Sequence, residues 1–240
     1  MNSGKLNAPQ RMVLEHLARY RLSFQEIVAT LFFDGGNPQK TLNQLREQGL
    51  IETQKGFGGN RAAYVLSRAG AAALGTSRRR ADNLGSEALP ANLAVLSFCL
   101  LRGRSRIRLT DDELVELFGE LVPPGRFHCL ERGARATRVY HVYTPGDSTR
   151  VGDVVARTRT HIAEVRKLAA LDPWLRHELY SHAILVDNED RAAALNAAID
   201  DSGSDGKGLR TLSHIHVESV AGLANLEEAL RDLAQENQAA

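Results

Sequence analysis

Residues 37–51 read Asn-Pro-Gln-Lys-Thr-Leu-Asn-Gln-Leu-Arg-Glu-Gln-Gly-Leu-Ile. Asn37 suits an N-cap and Pro38 the first helical position, because proline has no N–H to lose there. Gly49 is where such a helix ends. Between them only Leu42 and Leu45 form an apolar seam, with Leu50 beyond the helix end. Gln39, Lys40, Thr41, Asn43, Gln44 and Arg46 are polar, and a small core needs none of them.

Upstream, the 3.6-residue period predicts a helix over residues 9–20, with Met12, Val13, Leu14, Leu17 and Tyr20 as its apolar positions. A second helix is expected after Ser23, read as an N-cap with Glu26 as its capping-box partner. Its apolar face is Phe24, Ile27, Val28 and Leu31, and Gly35-Gly36 turns the chain into the third helix. Downstream come a strand over residues 50–53, the loop Lys55-Gly56-Phe57-Gly58-Gly59-Asn60-Arg61, a strand over 63–66 and a short helix over 68–74. Three helices followed by a hairpin is the order of a winged helix-turn-helix, assigned here to residues 1–75.

The third helix carries the chemistry of base reading. Gln and Asn pair in bidentate fashion with adenine, and Lys40 and Arg46 suit phosphate or guanine. Lys55, Asn60 and Arg61 lie on a glycine-rich loop that lets the main chain approach a phosphate backbone. Arg78, Arg79 and Arg80 open a stretch, residues 76–90, read as a linker and a further phosphate-contacting arm. Taken singly, each is also what a solvated face carries; taken together, they point to double-stranded DNA. Charge agrees. The first 80 residues hold twelve Lys or Arg against five Asp or Glu, a net of +7; the remainder holds eighteen against twenty-four, a net of −6.

The 240 residues suffice for two domains. No apolar run is long enough to span a membrane and the first residues do not resemble a secretory leader, so the expected location is cytoplasmic, nucleoid-associated through DNA. Cys99 and Cys129 sit among apolar neighbours and are expected as buried thiols.

A second domain is expected over residues 91–240: an apolar helix over 92–101, a basic stretch over 102–108, and a helix over 111–118 capped by Thr110 and Glu113. Strands over 126–132 and 138–144 follow, then a helix over 152–171, a strand over 181–186, a helix over 188–199, a strand over 214–218 and a helix over 223–235. This is an α/β (α+β) pattern with a mixed sheet covered by helices. His128 and Cys129 are adjacent in one strand and point to opposite faces. His214 and His216 share a face, but no second pair at ligand spacing accompanies them. No nucleophile elbow, phosphate-binding loop or dinucleotide fingerprint occurs. No catalytic residue, metal or cofactor is expected, and Trp174 reads as a core plug.

The segments Tyr20-Arg21-Leu22-Ser23, Leu42-x-x-Leu45 leading to Gln48-Gly49-Leu50-Ile51, and Tyr64-Val65-Leu66-Ser67-Arg68-Ala69-Gly70 resemble the replication-relaxation family of bacterial mobile-element proteins. The resemblance implies DNA binding in replication, transfer or their regulation, and a restriction-endonuclease-like second domain. An active nuclease of that kind needs an Asp near the start of the first hairpin strand and a Glu-x-Lys on the next. Here those places read Pro124-Gly125-Arg126 and His141-Val142-Tyr143. The implied domain is therefore degenerate and serves dimerisation or partner binding.

The expectation is a non-enzymatic, sequence-specific DNA-binding protein, a transcriptional regulator acting as a homodimer and without membrane partners. The alternatives are a nuclease or a relaxation or replication accessory protein of a mobile element, and a winged helix turned to protein interaction.

Overall fold

A computed structural model describes residues 6–57, 61–101, 105–133, 136–202, 208–222 and 225–239. The chain is mixed α/β and divides into two compact units, residues 1–96, 100–103 and 221–240 in one and residues 97–99 and 104–220 in the other.

In the first unit α1, Ala8–Tyr20, starts at a capping box: Gln10 N donates to Asn7 Oδ1 at 2.9 Å, and Asn7 N to Gln10 Oε1 at 3.2 Å. Helices α2, Gln25–Phe32, and α3, Gln39–Glu47, follow. Strands β1, Ile51–Lys55, and β2, Ala62–Leu66, pair antiparallel from Ile51↔Leu66 to Lys55↔Ala62, and α4, Arg68–Leu74, comes next. Val13, Leu14, Leu17, Val28, Leu42 and Leu45 share one core with Ile51 and Leu66. Burying them supplies the unit's main driving force, roughly 1.5–3 kcal/mol for each large aliphatic side chain.

Four sequence expectations are corrected in this unit. Ser23 does not cap α2; Phe24 occupies that position, with no side-chain cap bond. The reason is that Ser23 is already spent. Its N–H donates to the Tyr64 carbonyl at 3.0 Å, its carbonyl accepts from Tyr64 N at 2.8 Å, and its hydroxyl bonds to His16 Nε2 at 2.8 Å. Met12 and Leu31, expected on apolar faces, are 44% and 41% exposed. The expected linker is structured in part. Residues Arg78–Ala81 form a 3₁₀ turn packed on α1, α4 and β2, Leu84 is buried, and Arg21 Nη2 donates to the Asp82 carbonyl at 2.7 Å. Helix α5, Ala88–Leu100, therefore begins before Asn92, with Pro90 in its first turn, where proline is tolerated.

The last helix also departs from expectation. Helix α10, Leu226–Ala239, packs against α2 and belongs to the first unit. Leu226, Leu230 and Leu233 are buried, and an amphipathic stripe of that kind requires cover.

The second unit is a five-stranded mixed sheet in the order β3-β4-β5-β6-β7. Strands β3, Arg106–Arg108, β4, Phe127–Arg132, and β5, Thr137–Tyr143, are antiparallel neighbours. Strands β6, Tyr180–Val186, and β7, His214–Ser219, continue in parallel. Helix α6, Asp111–Phe118, follows β3 and starts at the expected capping box: Thr110 N donates to Glu113 Oε2 at 2.7 Å and Glu113 N to Thr110 Oγ1 at 3.3 Å. Helix α7, Val151–Val165, leads from β5 toward β6, and α9, Glu189–Asp201, from β6 to β7. Both pack on the sheet face that carries Ile184 and Ile215. All seven residues of β6 are buried, as a central parallel strand requires.

The helix expected over 152–171 ends at Val165. Leu168 takes an extended backbone, and the chain turns through a 3₁₀ turn into α8, Asp172–Arg176. That break lets Leu171 and Trp174 pack beside Phe118 and Tyr180.

Strand β3 was hidden in the basic stretch because its polarity is inverted. Arg106 and Arg108 are 7% exposed, whereas Ile107 between them is 38% exposed. Arg106 bonds to Glu131 Oε1 and Glu218 Oε2, both at 3.1 Å, and lies over the Phe98 ring at 3.9 Å from its centre. Tyr140 donates to Glu131 Oε2 at 2.6 Å. Removing the cation strands two carboxylates against each other. Arg106→Met is expected to cost about 3 kcal/mol in urea unfolding; a cost below about 1 kcal/mol contradicts this account.

Candidate functional site

Helix α3 has nine residues, and only Leu42 and Leu45 are buried. Its C-terminal end is set by Gly49, at φ +70, a left-handed conformation that disfavours other residues. Lys40 and Arg46 are exposed; Gln39, Thr41, Asn43 and Gln44 are half-exposed. Gln39 Nε2 donates to Asn43 Oδ1 at 2.9 Å, and Arg46 Nη2 to the same oxygen at 3.2 Å. Asn43 is thus held from both sides, with its amide nitrogen left to donate. Tyr64 of β2 lies against this group: burial raises its hydroxyl pKa, while Arg46 and the hydrogen bond with Gln39 pull it down. Gln44 turns toward α1, where Gln10 Nε2 approaches its Oε1 at 3.4 Å.

The loop residues divide. Lys55, at the end of β1, is exposed. Asn60 lies outside the described residues. Arg61 is half-buried and ion-paired with Glu26 of α2, so it fastens its end of the hairpin to that helix. Phe57 does the same by an edge-to-face contact with Phe24, ring centres 5.2 Å apart. Sequence reasoning missed Phe57, although an aromatic among glycines signals an anchor. On the 3₁₀ turn, Arg78 and Arg79 are exposed and Arg80 is half-buried.

His16 supports this surface from beneath. It is buried and holds Ser23, which fixes the hairpin through Tyr64. Burial, with Arg19 nearby, lowers its pKa to about 3.

The second unit gathers a group that the sequence did not reveal. His128 of β4 pairs with His141 of β5, and His141 with His182 of β6, so three histidines form one row across three adjacent strands. His161 of α7 covers the row: its ring stacks on His141 at 3.6 Å and meets His182 edge-on at 5.1 Å. Burial, then the neighbouring rings, lower His128 to about 4 and His182 to about 3. His141 falls well below the ordinary value for the same reasons, and burial lowers His161 against the pull of Glu164. A cavity of about 130 Å³ adjoins the group, bounded also by Tyr143, Arg157 and Thr158.

The histidines weighed from sequence behave otherwise. Cys129 points away from His128, with its Sγ 3.5 Å from Cys99 Sγ. His214 and His216 have ring centres 4.3 Å apart, and His214 Nδ1 bonds to Ser181 at 3.1 Å. Among the described residues no third ligand joins them; the group of three that does gather is His141, His161 and His182. Glu131 is engaged by Arg106 and Tyr140, and Asp153 is an exposed first-turn residue of α7.

Comparison with known proteins returned nothing: no family model matches the chain, and neither a curated protein nor a solved structure matches it.

The His16 shift has a definite sign. Below its ordinary value of 6.5 the unfolded chain takes up a proton that the folded chain refuses until about 3. Its contribution is complete above that range and is lost as pH falls through it. Acidification from pH 7 to pH 5 is expected to remove about 2 kcal/mol through His16. Urea unfolding followed by circular dichroism should show His16→Gln losing that much less than the parent; equal losses would refute the assignment.

Proposed function

We propose that the first unit is a winged helix that reads double-stranded DNA, and that the protein is a sequence-specific DNA-binding regulator acting as a homodimer. The observation that carries this reading is the seating of α3. Two leucines hold it, and Lys40, Asn43 and Arg46 remain on its solvent side. A helix in the major groove needs such a face, rich in groups that donate and accept and free of apolar bulk. Lys55 supplies a phosphate contact from the hairpin, and the net charge of +7 on the first 80 residues supplies the long-range attraction.

The ties within the surface refine the roles. Asn43, clamped by Gln39 and Arg46, enters the groove pre-oriented, which lowers the entropy cost of binding. Arg61 and Gln44 act as positioning residues. A second copy doubles the base contacts, since one short helix gives few. The mixed sheet with helical crossovers supports reading the second unit as a restriction-endonuclease-like core lacking its carboxylates, with dimerisation or partner binding as its role. A place in mobile-element replication or transfer is the part of the proposal that rests on the resemblance.

Fluorescence anisotropy at physiological salt tests the reading, comparing DNA upstream of the protein's own gene with a scrambled duplex. A preference of roughly a thousandfold is expected. Asn43→Ala is expected to cost about 1 kcal/mol on the preferred duplex only, the worth of the single hydrogen bond its free amide nitrogen can donate. Lys40→Ala and Lys55→Ala should weaken both duplexes alike, each lowering the salt slope by about one. Weak and equal binding to both duplexes would sink the regulator reading.

A further inference from the structure

The histidine row has unfinished hydrogen bonding. Both ring nitrogens of His182, Nε2 of His161 and Nδ1 of His128 are buried with no hydrogen-bond partner among the described residues. A buried polar atom without a partner costs about 1–3 kcal/mol, and such atoms are rare. Four lie within one cluster beside a cavity, and because a neutral imidazole keeps one N–H and one lone pair, His182 always has a lone pair without a donor while His161 Nε2 can offer a second. We infer that His141, His161 and His182 bind one zinc-class divalent transition-metal ion through imidazole nitrogens, with a fourth coordination position open to the adjoining cavity.

The donor set selects the class of ion. All three ligands are imidazoles, and no carboxylate or thiolate joins the group among the described residues. Nitrogen donors suit zinc, copper, nickel or iron, whereas magnesium and calcium take oxygen. The lowered pKa values leave the rings neutral at neutral pH, the state in which their nitrogens can ligate.

The geometry lies within reach of coordination. The three ligand atoms are within 4.8 Å of one another. Zinc–nitrogen bonds of about 2.0–2.1 Å in a tetrahedron place the nitrogens about 3.3 Å apart. Coordination therefore requires the rings to turn inward by that difference, which unstacks His141 from His161. Gly125 leaves the room His141 occupies: a Cβ there would lie 2.4 Å from the ring's Cδ2, and its φ of +130 disfavours any side chain. Three histidines with a fourth place open is the arrangement that retains water or an exchangeable anion. The cavity is large enough for several waters, since about 10–15 Å³ admits one. Arg157, hydrogen-bonded to Tyr143 at 3.4 Å, sets a cation at its edge and favours an anionic fourth ligand.

Titration of the full-length, chelator-treated chain with cobalt(II) chloride alone, without DNA, tests this. The expected result is saturation at one cobalt per chain, with ligand-field bands of a four-coordinate nitrogen site that disappear on adding one equivalent of zinc chloride. His161→Ala should weaken cobalt binding by at least roughly a hundredfold, more than losing an outer-shell partner does. His161→Gln, which retains bulk on the helix, should do the same while its circular dichroism matches the parent. The double variant His214→Ala/His216→Ala should bind like the parent. Absence of saturable binding at micromolar metal overturns the inference. So does parent-like binding in both His161 variants, or loss of binding in the His214/His216 variant.

Discussion

Leu42 and Leu45 lie three residues apart on a nine-residue helix, and both are fully withdrawn from solvent. They are the attachment of α3 to the first unit's core, and the DNA-reading account depends on how little of the helix they consume. A wider apolar stripe would have turned Asn43 or Arg46 inward. The surrounding contacts maintain that economy. Gly49 ends the helix, Ser23 clasps the hairpin through Tyr64, and His16 holds Ser23. Phe57 packs on Phe24 and Arg61 pairs with Glu26, and Lys55 remains in solvent.

In the second unit strand register plays the corresponding part. Pairing His128 with His141 and His141 with His182 puts all three on one sheet face, because side chains alternate and neighbouring strands fix which positions meet. The opposite face receives Cys129, Glu131 and Tyr140 from the intervening positions, together with Arg106 from β3. One face thus gathers three imidazoles within reach of one another, and the other holds a buried cation whose charge is met, beside His216, whose Nε2 also lacks a partner among the described residues. Arg106 reads as structural because two carboxylates meet its charge, and His141, His161 and His182 read as a site because three ligand nitrogens converge there.

Much of this was legible in the chain. The Thr110–Glu113 capping box, the hairpin strands around Leu130 and Val139, the end of α3 at Gly49 and the polar face of α3 all follow from local chemistry. What escaped was non-local. Ser23 has the composition of a cap, but a partner forty-one residues away claims its backbone. β3 reads as a solvated basic run because its arginines face inward, and only their distant carboxylates explain why. The last helix carries an ordinary apolar stripe, and nothing in that stripe names α2 as its cover. The histidine row has no spacing motif, since its members come from three strands and a helix. The trace it leaves is a histidine at an inward position of an otherwise apolar strand, Val139-x-His141 and Tyr180-x-His182, which singly reads as a satisfied core residue.

Selection from a pool of randomised duplexes, with the full chain at physiological salt, tests the central claim most directly, because it presupposes no operator. The account predicts enrichment of a defined motif, arranged as two symmetric half-sites whose centres lie about one helical turn, 10–10.5 base pairs, or a multiple of it apart. A folded chain that retains DNA yet enriches no sequence over the starting pool would contradict it.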